Sequence, residues 1–356
     1  MSNFQNITTE KQRYTKVNDE TKSLTLFSYD KGTQFRNDIF KELQLSENPH
    51  IREQLYSRGR FDDKCVLVAP LSKAIYLDNV DEFEHFYIQH KRNGFMLNVT
   101  IDLGNDEPQL YYSTTSQIMH SESEPTFLDN GSFVMKGKQF FELMVDKVEF
   151  IECFKNSQLK VFLDTFGNPS QRYTLSFECV MGSDYHIVNE TFGLFLLSAN
   201  IDSMMKVRTH NSVLNSLHIM LDEFASNFYG IHHDPLKCVN RKELDMIKSY
   251  TNAAMHEGLI IYASHDYKIM HTIKWKSDYY NLKKYIIRKP FESVQNSHGD
   301  QFHEKELIQL LFTEMCSEIA NMADNVEEYW NNFKKSYTLG KLFDKVFLLN
   351  IDKFYE

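Results

Sequence analysis

Short stretches rich in β-branched and aromatic residues, each closed by a turn, run from about Leu24 to Lys284 and limit what this chain can fold into. They read SLTLFSY, KCVLVAP, FMLNVTIDL, QLYYSTT, RYTLSFECVM, FGLFLLSAN, GLIIYAS and HTIKWKS. Several alternate apolar with polar residues, as strands with one buried face do. Leu103-Gly104-Asn105-Asp106 and Phe166-Gly167-Asn168-Pro169 supply turn punctuation. Helical patterns interrupt the series at Asp38 to Leu45 and at Ser212 to Phe228, where Leu214, Leu217, Met220, Leu221 and Phe224 keep helical spacing. Asn240-Arg241-Lys242-Glu243 predicts a third helix start, an N-cap with Glu at N3 forming a capping box. Strands and helices mixed in this way predict an α+β fold of antiparallel sheets with flanking helices.

The character changes after about Ile286. From His303 the apolar residues Leu307, Leu310, Leu311, Met315 and Ile319, then Met322, Val326 and Trp330, follow helical spacing, and so does LGKLFDKVFLLNIDKFYE at the end. The expected organisation is a polar N-terminal tail over 1–23, a large α+β domain over 24–285 and a small all-helical C-terminal domain over 286–356. A chain of 356 residues, 42% of them hydrophobic, has the material for two domains at roughly 150 residues each. No apolar run approaches the roughly 20 residues a bilayer span needs, and Met1 to Glu20 lacks the apolar core of a secretory signal. The five cysteines, Cys65, Cys153, Cys179, Cys238 and Cys316, are scattered, with no Cys-x-x-Cys pair. That argues against a disulfide framework or zinc ribbon and for a reducing, cytoplasmic setting. A net charge of −10 argues against coating nucleic acid through a broad basic surface. It leaves room for a local group of lysines gripping a few phosphates.

Four segments carry chemistry-bearing residues in a telling order. Lys91-Arg92-Asn93-Gly94 follows a stretch read as helix or loop, Asp81 to His90, and precedes FMLNVTI. Ser176-Phe177-Glu178 lies on a strand, Glu257-Gly258 opens another, and Thr272-Ile273-Lys274-Trp275-Lys276 sets two lysines at i and i+2. Residues two apart on a strand share a face. Two like charges there are unfavourable unless an anion lies between them, so Lys274 and Lys276 read as a phosphate clamp. Lysines guarding an edge strand would give the same pattern. Lys-x-Asn-Gly taken alone is an ordinary turn. A lysine becomes a nucleophile only when neighbouring cations or burial keep part of it neutral. Glu178 and Glu257 would serve ribose hydroxyls or a hydrated Mg²⁺. An unpaired Glu178 inside an apolar strand would be costly, which weighs against an incidental carboxylate there.

In order and spacing these segments resemble the nucleotidyltransferase motifs of covalent ligases and capping enzymes, and more narrowly those of the phage RNA ligase 1 family. The narrower likeness rests on Phe27-Ser28-Tyr29, Arg58-Gly59 and Pro70-Leu71-Ser72-Lys73 before Lys91, on Leu196-Leu197, and on Ile273-Lys274-Trp275-Lys276-Ser277-Asp278-Tyr279-Tyr280. It spans roughly Leu24 to Lys284. The resemblance implies a nucleotidyltransferase domain, ATP and Mg²⁺ (or Mn²⁺) as cofactors, and RNA ends, with cleaved tRNA as a candidate, as partners. Lys91 would be the catalytic nucleophile that carries AMP. Lys274 and Lys276 would hold the α-phosphate, and Arg58 and Lys73 would reach the ribose and leaving phosphates. Glu178 would bind the ribose, Glu257 the hydrated metal, and Tyr29 would lie near the triphosphate. The chain departs from the family at Tyr112-Ser113-Thr114-Thr115-Ser116, which lacks the usual lysine, and at Ala74-Ile75-Tyr76, where an asparagine is usual.

Other readings compete. An Asn in the first motif also occurs in the adenylyltransferase module of tRNA-splicing ligases. Here no kinase or phosphodiesterase motif accompanies it, so end-healing enzymes would act in trans. A non-catalytic RNA binder that kept the fold would not need Lys91, Glu257, Lys274 and Lys276 together, and mRNA capping fits the flanking motifs less well. His232-His233-Asp234, just before Pro235, reads as a solvated loop rather than a metal site, and so does the His298 to His303 stretch. The C-terminal apolar stripe reads as helix-packing core.

Overall fold

A computed structural model of the chain describes residues 8–17, 20–29, 36–46, 48, 53–56, 58–63, 65–76, 80, 82–123, 131–166, 171–182, 187–188, 190–201, 210–266, 268–296 and 305–354. The strands in chain order are β1 (Thr8–Val17), β2 (Glu20–Tyr29), β3 (Arg60–Asp62), β4 (Val66–Val68), β5 (His85–His90), β6 (Phe95–Asp102) and β7 (Gln109–Ser113). Then follow β8 (Ile118–His120), β9 (Arg172–Val180), β10 (Gly193–Asn200), β11 (Ile231–His232), β12 (Lys237–Asn240), β13 (Gly258–His265) and β14 (Lys268–Lys276).

They form three sheets, ordered β1-β2-β3-β4, β11-β10-β9-β6-β7-β8 and β12-β5-β13-β14. The six-stranded sheet is antiparallel except for the two-residue β10–β11 contact. With the helices this makes the α+β fold that the sequence predicts. The stretch read as a polar tail, 1–23, carries β1 and the first residues of β2, paired from Thr8↔Tyr29 to Val17↔Glu20. Asp81 to His90, read as helix or loop, ends in β5. Its Phe86 and Ile88 are buried with period 2, which a helix cannot offer to one sheet.

Two compact units emerge, and neither is a single run of chain. The first comprises 1–181, 191–244 and 260–275; the second comprises 182–190, 245–259 and 276–356. In the first, the six-stranded sheet buries Leu97, Val99, Leu175 and Phe177 against a layer of helices. Three of these, Phe133–Met144, Lys147–Lys155 and Gln158–Phe166, were not anticipated from the sequence. The first two begin at side-chain N-caps. Ser132 accepts from Met135 N at 3.3 Å, and Asp146 accepts from Val148 and Glu149 N at 2.9 Å, each an N-cap. Phe141, Phe150, Phe154 and Phe224 then meet largely edge to face.

The capping box at Asn240 forms as expected, with Asn240 N donating to Glu243 Oε2 at 2.9 Å and Glu243 N to Asn240 Oδ1 at 3.0 Å. The second unit contains the helices Asp278–Arg288, Phe291–Gln295, Lys305–Ala320, Val326–Phe333 and Tyr337–Leu349. They pack Ile286, Leu311, Met315, Ile319, Phe343 and Phe347 around fully buried Trp330. Met322, part of the predicted apolar stripe, is instead exposed. Among the described residues no helix is long and apolar enough to cross a membrane.

Candidate active site

The Lys91–Gly94 turn joins β5 to β6, and both strands are anchored at their far edges: β5 pairs with β12, and β6 with β9. Met96 of β6 stands opposite Glu178 of β9, so the turn's exit and the glutamate are brought together by strand register. Gly94 N donates to Glu178 Oε1 at 2.9 Å. A side chain could not fit at Gly94, because a Cβ there would lie 2.1 Å from Cys179 O. Lys91 Nζ donates to the carbonyl of Arg92 at 3.3 Å. Arg92 in turn places its guanidinium on both carboxylate oxygens of Asp234, at 2.7 and 2.5 Å, and 4.1 Å from the centre of the Phe195 ring.

Lys91, Arg92 and Glu178 line a cleft of about 1060 Å³, counting its open mouth, within the first unit. Its apolar walls come from Leu55, Leu197, Leu214, Ile260 and Ile269; Gln89, His90, Lys91, Arg92 and Glu178 are the polar side. Few polar groups converging in an apolar cleft is the usual build of a small-molecule site. Leu197 gets there through a bulge: Leu196 pairs with Phe177 and Ser198 with Ser176, leaving Leu197 as the extra residue. That bulge lies in the Leu196-Leu197 segment picked out in the sequence.

The other sequence-predicted residues are distributed around this cleft and beyond it. Ser72 and Ala74 line it, while Lys73 between them sends Nζ over the rings of Phe40 at 5.1 Å and Tyr29 at 5.9 Å. Burial there, aided by the positive charge of Arg58, lowers the Lys73 ammonium to about 8. Arg58 itself is exposed. The glycine after it is conformationally required: Gly59 has φ +86°, and a Cβ would approach Thr115 Cα to 2.9 Å. Tyr29 is buried and its hydroxyl donates to Leu55 O at 2.7 Å, while burial pushes its phenol pKa up.

Thr272 of β14 lines the cleft. Two residues on, Lys274 N donates to Ile75 O at 2.8 Å, and its Nζ lies 4.3 Å from the Tyr76 ring centre. Glu257 and Lys276 belong to the second unit and pair there, with Nζ 3.1 Å from Oε1 of a carboxylate only 2% exposed. No group of three or more His, Cys, Asp or Glu able to hold a metal occurs among the described residues. Mg²⁺ does not need one, since it keeps its waters and leans on one or two carboxylates plus substrate phosphates.

The His232-His233-Asp234 stretch, read as a solvated loop rather than a metal site, is exposed only at His232; His233 and Asp234 lie in the loop after it but are partly buried. His232 forms part of β11, and the His233 ring meets Leu196 O at 2.7 Å and His218 at 3.1 Å. Burial lowers the His233 pKa, and Asp234 is committed to Arg92. Nothing local in the sequence links Asp234 to Arg92, which lies 142 positions earlier. The other histidine stretch, from His298 to His303, lies outside the described residues.

No family model matches this chain, and no curated protein matches it. Among solved structures it is similar to an archaeal ATP-dependent RNA ligase, form 1, at 14% identity and a TM-score of 0.42, covering 82% of this chain and 68% of that one. Form 2 of an archaeal ATP-dependent RNA ligase is similar at 12% identity and a TM-score of 0.38, covering 83% and 68%. Likeness at this level is too distant to assign a role to any residue, so the cleft's own geometry has to bear the functional reading.

Proposed function

We propose that this chain is an ATP-dependent RNA ligase that joins 5′-phosphate to 3′-hydroxyl ends through a lysyl-AMP intermediate, with broken tRNA as a candidate substrate. The observation that carries the reading is the Lys91 turn. A lysine lining a largely apolar cleft is hydrogen-bonded to its own loop, and that loop is tied to Glu178 through Gly94. Such fixation supports the reading because a nucleophile gains rate from being held in place.

In this reading the neutral Lys91 amine attacks the α-phosphorus of ATP. A P–N bond forms, the bond to the bridging oxygen breaks, pyrophosphate leaves and the amine loses a proton. An oxygen of the RNA 5′-phosphate then takes the adenylyl group from Lys91, which regains its proton. Finally a 3′-hydroxyl attacks that phosphate, and AMP departs. Glu178 orients the ribose, while Lys274 and Lys276 offset charge on the α-phosphate, with Lys73 and Arg58 toward the leaving phosphates. Glu257 would hold a hydrated Mg²⁺, whose part is to neutralise phosphate charge.

The test incubates the protein with α-labelled ATP and Mg²⁺ and resolves it on a denaturing gel. Label should stay with the protein, vanish in Lys91→Ala, and chase onto 5′-phosphorylated RNA. Failure to label with any nucleotide would overturn the proposal. Label from GTP alone would point to a capping-like reaction.

A further inference from the structure

We infer that Asp234 is a positioning residue for Lys91, acting through Arg92, an inference that rests on the adenylylation reading above. The geometry forms one chain of contacts. Both oxygens of Asp234 receive the Arg92 guanidinium at 2.7 and 2.5 Å, a two-point fork that fixes the plane as well as the distance. The Asp234 carbonyl also accepts from Gln89 Nε2 at 3.0 Å. One residue therefore holds the nucleophile loop on both sides of Lys91. Between those grips, Lys91 Nζ donates to the Arg92 carbonyl at 3.3 Å. The fork tethers the Arg92 backbone through its side chain, and that backbone carries the acceptor of the Lys91 amine.

The anchor is itself immobilised. The Phe195 ring lies 4.1 Å from the guanidinium carbon. The preceding residue, His233, is held by Leu196 O at 2.7 Å and by His218 at 3.1 Å. With Nδ1–H donating to the carbonyl, His233 Nε2 must accept and His218 Nδ1 must donate, a single consistent tautomer set. Both members of the ion pair are sheltered, with side-chain exposures of 17% for Arg92 and 16% for Asp234. A sheltered fork like this is a poor source of net stability. It is a good source of geometric definition, which is what a nucleophile within reach of an α-phosphate requires.

The experiment compares the wild type with Asp234→Asn, Arg92→Lys and the double variant Asp234→Asn/Arg92→Lys. Asn keeps the shape of Asp234 and removes its charge; Lys keeps the charge of Arg92 and removes its fork. Single-turnover uptake of labelled AMP is followed against ATP concentration, alongside backbone amide exchange of the full chain without nucleotide. The rate at saturating ATP should fall about tenfold or more in each single variant, while the half-saturating ATP concentration stays within about threefold. The double variant should be no slower than the worse single, because the two residues act as a unit. Amide exchange should quicken over residues 90–94 and stay unchanged in β6 and β9.

An unchanged saturating rate, a loss confined to half-saturation, or single effects that multiply in the double variant would each overturn the inference. If the wild type takes up no label from any nucleotide, the ligase reading fails separately. Exchange then judges the clamp: quickening limited to residues 90–94 supports it, and an unchanged pattern overturns it.

Discussion

The amide of Gly94 donates to Glu178 Oε1 across 2.9 Å, tying the loop after Lys91 to a strand 84 positions later in the chain. The approach is so close that Gly94→Ala would drive a Cβ into the Cys179 carbonyl, which is backbone and cannot rotate aside. The variant should lose about 1–3 kcal/mol of stability from overpacking. Its uptake of AMP should fall about a hundredfold as the turn is pushed out of line. Thermal unfolding and label uptake measured together check both, and a variant that matches the wild type in each would show the contact to be incidental.

Lys73 gives a pH signature. Its ammonium is lowered from 10.5 to about 8, chiefly by burial. Between those values the unfolded chain keeps a proton that the folded chain has released, so stability rises with pH across that window. The cost is fully present below pH 8. Lys73→Met should flatten this rise in urea midpoints taken from pH 7.5 to 10.5. If Lys73 also serves the phosphates of ATP, wild-type affinity should weaken as pH climbs past 8 and that weakening should be absent in Lys73→Arg. Parallel curves for the two proteins in calorimetric titration would remove Lys73 from the site.

His271 acts in the opposite range. It is 1% exposed, its Nδ1 lies 3.1 Å from Gln44 Oε1, and burial, with Lys41 adding to it, lowers its pKa to about 4. The folded protein therefore holds it neutral while the unfolded chain takes up a proton below about 6.5. Stability should be lost as pH falls from 6.5 toward 4, by about 3 kcal/mol at most for the shift involved. His271→Gln should blunt that loss. Equal acid sensitivity in the variant would assign it to other groups.

In the helical unit, Lys283 Nζ contacts Asp344 at 2.6 Å and the Tyr279 hydroxyl at 2.9 Å, and the lysine is 3% exposed. Lys283→Met leaves Asp344 without its charge partner and should cost about 3–5 kcal/mol. Lys283→Met/Asp344→Leu should recover most of it, because both desolvated charges are then gone. Chemical denaturation of the two variants separates a structural ion pair from a dispensable one.

Much of the fold was legible because its signals are local. Period-2 burial, turn residues and the Asn240–Glu243 capping box each depend on neighbours within a few positions; the burial, the bend at Gly104-Asn105-Asp106 and the box appear where expected, while Gly167-Asn168-Pro169 lie outside the described residues. The helices from Phe133 to Phe166 are harder to read because their starts, Ser132 and Asp146, are residue types that serve equally as turn punctuation between strands. Strand β5 was missed because its alternation is short and flanked by acidic and histidine residues.

The site divides along the same line. For the proposed chemistry, the sequence by itself nominates the residues: Lys91 before Gly94, a glutamate inside an apolar strand at Glu178, and lysines two apart on β14. Only the tertiary structure decided what holds Lys91 in place. The Gly94–Glu178 tie comes from strand register, and the Arg92–Asp234 fork from folding the chain back across a separation of 142 positions. Hydrogen bonds act over about 3 Å while residue patterns act along the chain. A contact between distant segments therefore leaves no local mark, and Asp234, in the loop after β11, shows its tie to Arg92 only in the folded chain.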